Sequence, residues 1–201
     1  TLLEKKYVNF EGLNLSWETL DGLIKHNGPI FNSQNNYELS EKFTFNLKQY
    51  PSLEAQIASL SDDIAYIAHD LDDGIRSEIL EINELSNQKY LFEFIDFNYI
   101  KGLESKVARN YFTRSMVNYL VLDLIKETEN QLKNIKLSSY EDIINHPNFL
   151  VKFSPQVSEK VNQIKSYLFD NFYNSKFVYQ SRSEAEKILV FNIKFLQKNI
   201  S

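Results

Sequence analysis

The segment SDDIAYIAHDLDDG, Ser61 to Gly74, holds five aspartates and one histidine and neither lysine nor arginine. Carboxylates and imidazole bind hard and borderline divalent cations and carry protons, so such a cluster invites a metal-site reading. A helical wheel sharpens it. With Asp62 as zero, Leu53, Ile57, Leu60, Ile64, Ile67, Leu71 and Ile75 fall within roughly 40° of the opposite side, a core-facing stripe. Asp62, Tyr66, His69, Asp70, Asp73 and, if the helix survives Gly74, Arg76 lie on the zero side, with Ala55, Ala58, Ser59 and Ala65 among them.

A charge run is ordinarily a solvated face. Solvated faces, however, mix lysine with glutamate at i, i+4, whereas this one carries aspartate, a poor helix former, and small residues that let another helix approach. If the face is covered, its carboxylates need a cation. Oxygen ligands without thiolates suit Mg²⁺ or Mn²⁺, and a His/Asp mixture suits Mn²⁺ or Fe²⁺. One helix cannot complete the site, since Asp62 and His69 stand about 10 Å apart along the axis at 1.5 Å per residue. The remaining histidines, His26 and His146, each sit beside a helix break, where capping or surface roles are the ordinary ones.

The elements that must position these residues are mostly helical. The chain has 201 residues, 43% hydrophobic, with only five glycines and four prolines, which fits one domain of all-α class. A short helix is expected over Leu15 to His26, capped by Ser16 and ended by Asn27-Gly28-Pro29, with Trp17, Leu20, Leu23 and Ile24 on its apolar side. The asparagine-rich stretch Phe31 to Asn46 reads as a loop. A helix starts after Pro51 and runs to about Leu71, with a possible extension to Leu85. Lys101 to Asn134 reads as a long buried helix through Leu103, Val107, Tyr111, Val117, Leu120, Val121, Leu124 and Ile125. Phe149 to Phe153 has the composition of a short strand, and two further helices cover Gln156 to Phe172 and Ser181 to Lys198.

Cysteine is absent, which excludes disulfides and thiolate metal sites and fits a cytoplasmic setting. No apolar run reaches a membrane span. The net charge of −5 argues against nonspecific nucleic-acid binding.

Three segments, FEGLNLSWETLDGLIKHNGP, YPSLEAQIASLSDDIAYIAHDLDDGIRSEIL and IKSYLFDNFYNSKFVYQSRSEAEKILVFNIKFL, together resemble the dGTPase-like branch of the HD-domain phosphohydrolases, the deoxynucleoside triphosphate triphosphohydrolases. The resemblance implies an all-α HD-domain-type helical bundle, a divalent metal (Mn²⁺ or Mg²⁺), a deoxynucleoside triphosphate substrate cleaved to deoxynucleoside and tripolyphosphate, and a homo-oligomeric working form. By matching position, Asp62 resembles the family's final metal aspartate, and Tyr66 and Asp70 resemble its deoxyribose-recognition residues. His69-Asp70 is then not the metal-binding His-Asp pair, which stands upstream in the family together with a further histidine. The chain is expected to be the C-terminal portion of such a protein, lacking the upstream half and inactive alone.

Tyr111 and Arg114 resemble substrate-pocket residues, with Arg109 nearby; the plain alternative is that the arginines pair with acids and Tyr111 is core. Arg76 reads either as a phosphate or oligomer contact or as the counter-charge of Asp73. Glu78, Glu81 and Glu84 resemble an acidic pyrophosphohydrolase run but are expected to form a solvated helix face. A non-catalytic helical module that oligomerises or regulates a partner is the alternative function.

Overall fold

The computed structural model describes residues 8–10, 12–31, 36–40 and 43–199. Its helices are α1 (Trp17–Ile24), α2 (Leu53–Arg76), α3 (Ile82–Leu85), α4 (Phe97–Ile100), α5 (Ser105–Lys133), α6 (Tyr140–Ile144), α7 (Pro155–Leu168) and α8 (Lys176–Asn199), and its strands are β1 (Asn36–Ser40) and β2 (Phe43–Asn46). The all-α class expected from composition holds. The chain divides into two compact units, one of Thr1–Asp63 with Val121–Ser154, the other of Ile64–Leu120 with Pro155–Ser201.

In the first unit α1 begins at Ser16, whose side chain accepts from the Thr19 N–H as an N-cap. Its apolar side meets the hairpin: Leu20, Phe45 and Leu47 form a buried cluster flanked by Leu15, Trp17 and Ile24. The Trp17 indole stacks on Phe45 at 5.5 Å and donates to the Thr44 carbonyl at 3.0 Å. Leu23, expected on that side, is instead exposed. The loop expected over Phe31 to Asn46 is in part an antiparallel hairpin, Tyr37 opposite Phe45. Alternation in Phe43-Thr44-Phe45 supplies the strand signal, with Phe45 filling the core.

After α1, Gly28 turns the chain at φ +95, and a Cβ there would stand 2.6 Å from the Phe149 ring. Gly22 is equally constrained, since an added Cβ would come 2.9 Å from that of Ala55 on α2. The small residues of α2 therefore do admit a neighbouring helix, at Ala55. The core stripe of α2 needs one correction at its start: Ile57 is exposed and Gln56 is buried. The Gln56 amide donates to the Pro51 carbonyl, and its oxygen accepts the N–H groups of Leu150 at 2.9 Å and Val151 at 3.1 Å. That bracing accounts for Phe149 to Phe153, which is not a strand: its backbone pairs with a side chain rather than with another strand. A capping box at Ser139 and Asp142 starts α6.

In the second unit α2 passes Gly74 and ends at Arg76, short of Leu85. Glu78 takes a left-handed φ of 59, and the Leu80 N–H returns to the Gly74 carbonyl at 2.9 Å, which closes the helix. Glu78 lies in this turn, Glu81 caps α3 and Glu84 lies inside it, so the three glutamates do not share one helix face. On α5 the buried residues are Ala108, Phe112, Met116, Leu120 and Leu124, a strict i, i+4 row. Of those expected to be buried, Leu103, Val107, Val121 and Ile125 are exposed. The helix is thus one-sided. α7 buries Val157, Val161, Ile164 and Leu168. A π-helical turn, Phe169–Tyr173, then leads into α8, which starts five residues earlier than expected.

Candidate functional site

Asp62 falls in the first unit, Tyr66, Asp70, Tyr111 and Arg114 in the second. All three α2 candidates occupy one continuous helix at i, i+4 and i+8. Asp62 is exposed. Among the described residues no three His, Asp or Glu side chains converge as a metal centre needs. These residues therefore do not by themselves fit a divalent ion, which takes six or more oxygen ligands when bound by carboxylates and water.

Tyr66 is 58% exposed, and its neighbour one turn on, Asp70, is half-buried. The Tyr173 hydroxyl, delivered by the π-helical turn, donates a hydrogen bond to Asp70 Oδ2, and Tyr66 is near enough to act on its titration. Burial pushes the Asp70 carboxyl above the ordinary carboxylate range, with Asp73 adding to the effect, while the Tyr173 bond and nearby His69 oppose it. Burial pushes the Tyr173 phenol up, with the hydrogen bond it gives Asp70 and the nearby Tyr66 adding to the effect, so it stays protonated and remains a donor. The sequence named Tyr66 and Asp70 but missed Tyr173. Its signal was available in the aromatic run FDNFY immediately before Asn174-Ser175, where a helix register breaks.

His69 is exposed, so the adjacent His and Asp side chains have different surroundings. Asp73 pairs with Arg76 at 2.6 Å, both well exposed, so in this structure Arg76 stands as the counter-charge of Asp73. Asp72 receives Thr113 Oγ1 at 3.3 Å and faces Arg109 Nε at 3.1 Å, the latter out of line for a hydrogen bond, so α5 is clipped to α2.

Tyr111 and Arg114 line a shallow concavity of about 460 Å³ with Val107, Asn110, Ser115 and Asn118. Tyr111 is half-buried against Tyr99, ring centroids 4.8 Å apart, and Arg114 is exposed. The structure thus places Tyr66 and Asp70 one turn apart on α2 and Tyr111 and Arg114 along one concavity of α5, and among the described residues no hydrogen bond or ring contact joins the two sets. A larger concavity of about 1120 Å³ lies between the end of α2 and the start of α5, lined by Glu78, Phe92, Asp96 and Lys101 among others.

Comparison with known proteins returns one consistent description. The chain is 39% identical over 184 residues, 87% of its length, to a "deoxyguanosinetriphosphate triphosphohydrolase-like protein" of Rickettsia typhi, of which it covers 47%. It is 35% identical to proteins of the same description from Rickettsia felis and Brucella suis, in each case over 94% of this chain and 50% of the relative. The chain spans about half the length of the curated relatives it matches. No family model matches. Among the described residues no helix is long and apolar enough to cross a membrane.

Proposed function

The chain belongs to the deoxyguanosinetriphosphate triphosphohydrolase-like family, and from that premise we propose that it carries the sugar-reading face of a hydrolase acting on a deoxynucleoside triphosphate. The products are the deoxynucleoside and tripolyphosphate. In this reading Asp62 is one ligand of Mn²⁺ or Mg²⁺, and the ligands that complete the site, a histidine and a His-Asp pair, lie outside these 201 residues. Tyr66 packs its ring close to the 2′ carbon of the sugar, which disfavours a ribose hydroxyl. Asp70 accepts the 3′-hydroxyl, Tyr111 packs near the sugar, and Arg114 reaches a phosphate, a role that suits the guanidinium fork.

The observation that carries the proposal is the pairing of an exposed aromatic ring with a half-buried carboxylate one helical turn away, the carboxylate held by a second phenol. A flat apolar ring and one fixed acceptor are the groups a deoxyribose presents partners for. The test is product analysis with dGTP and Mn²⁺. The chain alone is expected to release nothing, and the chain joined to a segment bearing the missing ligands is expected to release tripolyphosphate. Pyrophosphate as the product, or nucleotide cleavage by the isolated chain, contradicts the proposal.

A second reading, a helical module that assembles without catalysis, is favoured by α8. Phe177 and Phe191 are 63% and 69% exposed, and Ile188, Leu189, Ile193 and Leu196 are exposed beside them. A helix this apolar is stable in water only when covered. Both readings accommodate a homo-oligomer in which α8 meets its copy.

A further inference from the structure

We propose that Tyr173 is a positioning residue that sets sugar specificity, by taking an acceptor site of Asp70 Oδ2 so that the carboxylate offers a ligand one unobstructed oxygen instead of two. This rests on the reading of Asp70 as the acceptor for a sugar hydroxyl.

The argument is one of stoichiometry. An unrestrained carboxylate has two oxygens and captures the two adjacent hydroxyls of a ribose together, each hydroxyl donating to its own oxygen. A 2′-deoxyribose has only the 3′-hydroxyl of that pair, and one oxygen suffices for it. An Asp side chain left free at this position would therefore favour ribonucleotides. Tyr173 lessens that advantage, because its O–H takes one of the acceptor sites of Oδ2 and its phenol stands against that oxygen.

Two features frame the arrangement. The π-helical turn Phe169–Tyr173 widens the helix by one residue where α7 ends, bringing the phenol to α2. Tyr66 also lies near the same phenol, so the ring and the carboxylate of α2 share one neighbour. Asp73 and His69, the charged or titratable neighbours of Asp70 on α2, bear on its charge but not on its second oxygen.

Two readouts test this with Tyr173→Phe, which keeps the ring. In the chain as it stands, ¹³C-detected titration of the Asp70 carboxyl should move to higher pH, because the lost hydrogen bond had favoured the ionised form. In the protein completed with its remaining metal ligands, the preference for dGTP over GTP in kcat/KM should narrow by about 10-fold or more, the size expected for a hydrogen bond to a charged group. The gain should lie in a lower KM for GTP, with kcat for dGTP little changed. An unmoved Asp70 titration overturns the pairing. A moved titration with the preference intact makes Tyr173 a structural strut and overturns the specificity role. If Asp70→Asn also leaves both substrates unaffected, the sugar-reading assignment of Asp70 falls and the proposal with it.

Discussion

At the scale of single residues, the contrast between two partly or wholly buried aspartates separates structure from function. Asp21 is 2% exposed and faces Lys25 Nζ at 2.6 Å, one turn on in α1 and its capping residue, also buried. Burial pushes the Asp21 carboxyl above its ordinary range, with Lys25 pulling the other way. Removing the lysine leaves a buried charge alone, so Lys25→Met should cost about 3–5 kcal/mol at neutral pH. The loss should shrink as pH falls. A carboxyl whose folded pKa lies above the unfolded value of about 3.9 binds its proton more tightly in the native state, so the stability it contributes is present at low pH and lost as pH rises through the folded pKa. Urea denaturation across a pH series measures this, and a loss independent of pH contradicts it. Neither half of that pair was legible in the sequence, because Asp21 and Lys25 look like an ordinary surface i, i+4 pair. The helix face that carries Asp70 and Tyr66 was legible because the spacing of a strongly periodic helix fixes it; Tyr173 is marked only by the aromatic run FDNFY, and the π-helical turn shifts its register relative to a regular helix.

At the scale of elements, α2 is the best-read part of the molecule. Its stripe through Ile64, Ile67 and Leu71 is buried as the wheel required. At its start, Gln56 is the buried residue and Ile57 is exposed, a reversal no periodicity predicts because the glutamine is held by long-range bonds to Leu150 and Val151. α5 misled for the opposite reason. Apolar residues surround it, so several stripes fit, and packing selects the i, i+4 row through Phe112 and Met116. The hairpin was missed because asparagine is frequent around it and its strand signal is one short alternation, Phe43-Thr44-Phe45. α8 is apolar over much of its circumference and exposed, with Phe191 and Phe195 stacked on each other along it. If it meets its own copy, sedimentation equilibrium should show self-association that weakens at least about 10-fold on Phe191→Glu, since a charge placed in an apolar contact is strongly unfavourable. A monomer at all concentrations contradicts the homo-oligomer.

At the scale of the whole molecule, the half-length match and the lack of converging metal ligands among the described residues lead to the same proposal. Relatives at 34–39% identity carry a triphosphohydrolase-like description and are about twice as long as the stretch they share with this chain. Among the described residues no three His, Asp or Glu side chains converge on a cation, while Tyr66 and Asp70 are the groups proposed to read a deoxyribose. The division of labour proposed here puts sugar recognition and one metal carboxylate on this chain, and the other ligands outside it. The measurement that tests it most directly is dGTP turnover by the completed protein carrying Asp62→Ala. The account predicts that tripolyphosphate release falls by more than about 100-fold, beyond the loss typical of residues that only support a ligand, with Mn²⁺ binding weakened in parallel. Release at the wild-type rate would contradict the assignment of Asp62 and, with it, the claim that this helix faces the reacting phosphate.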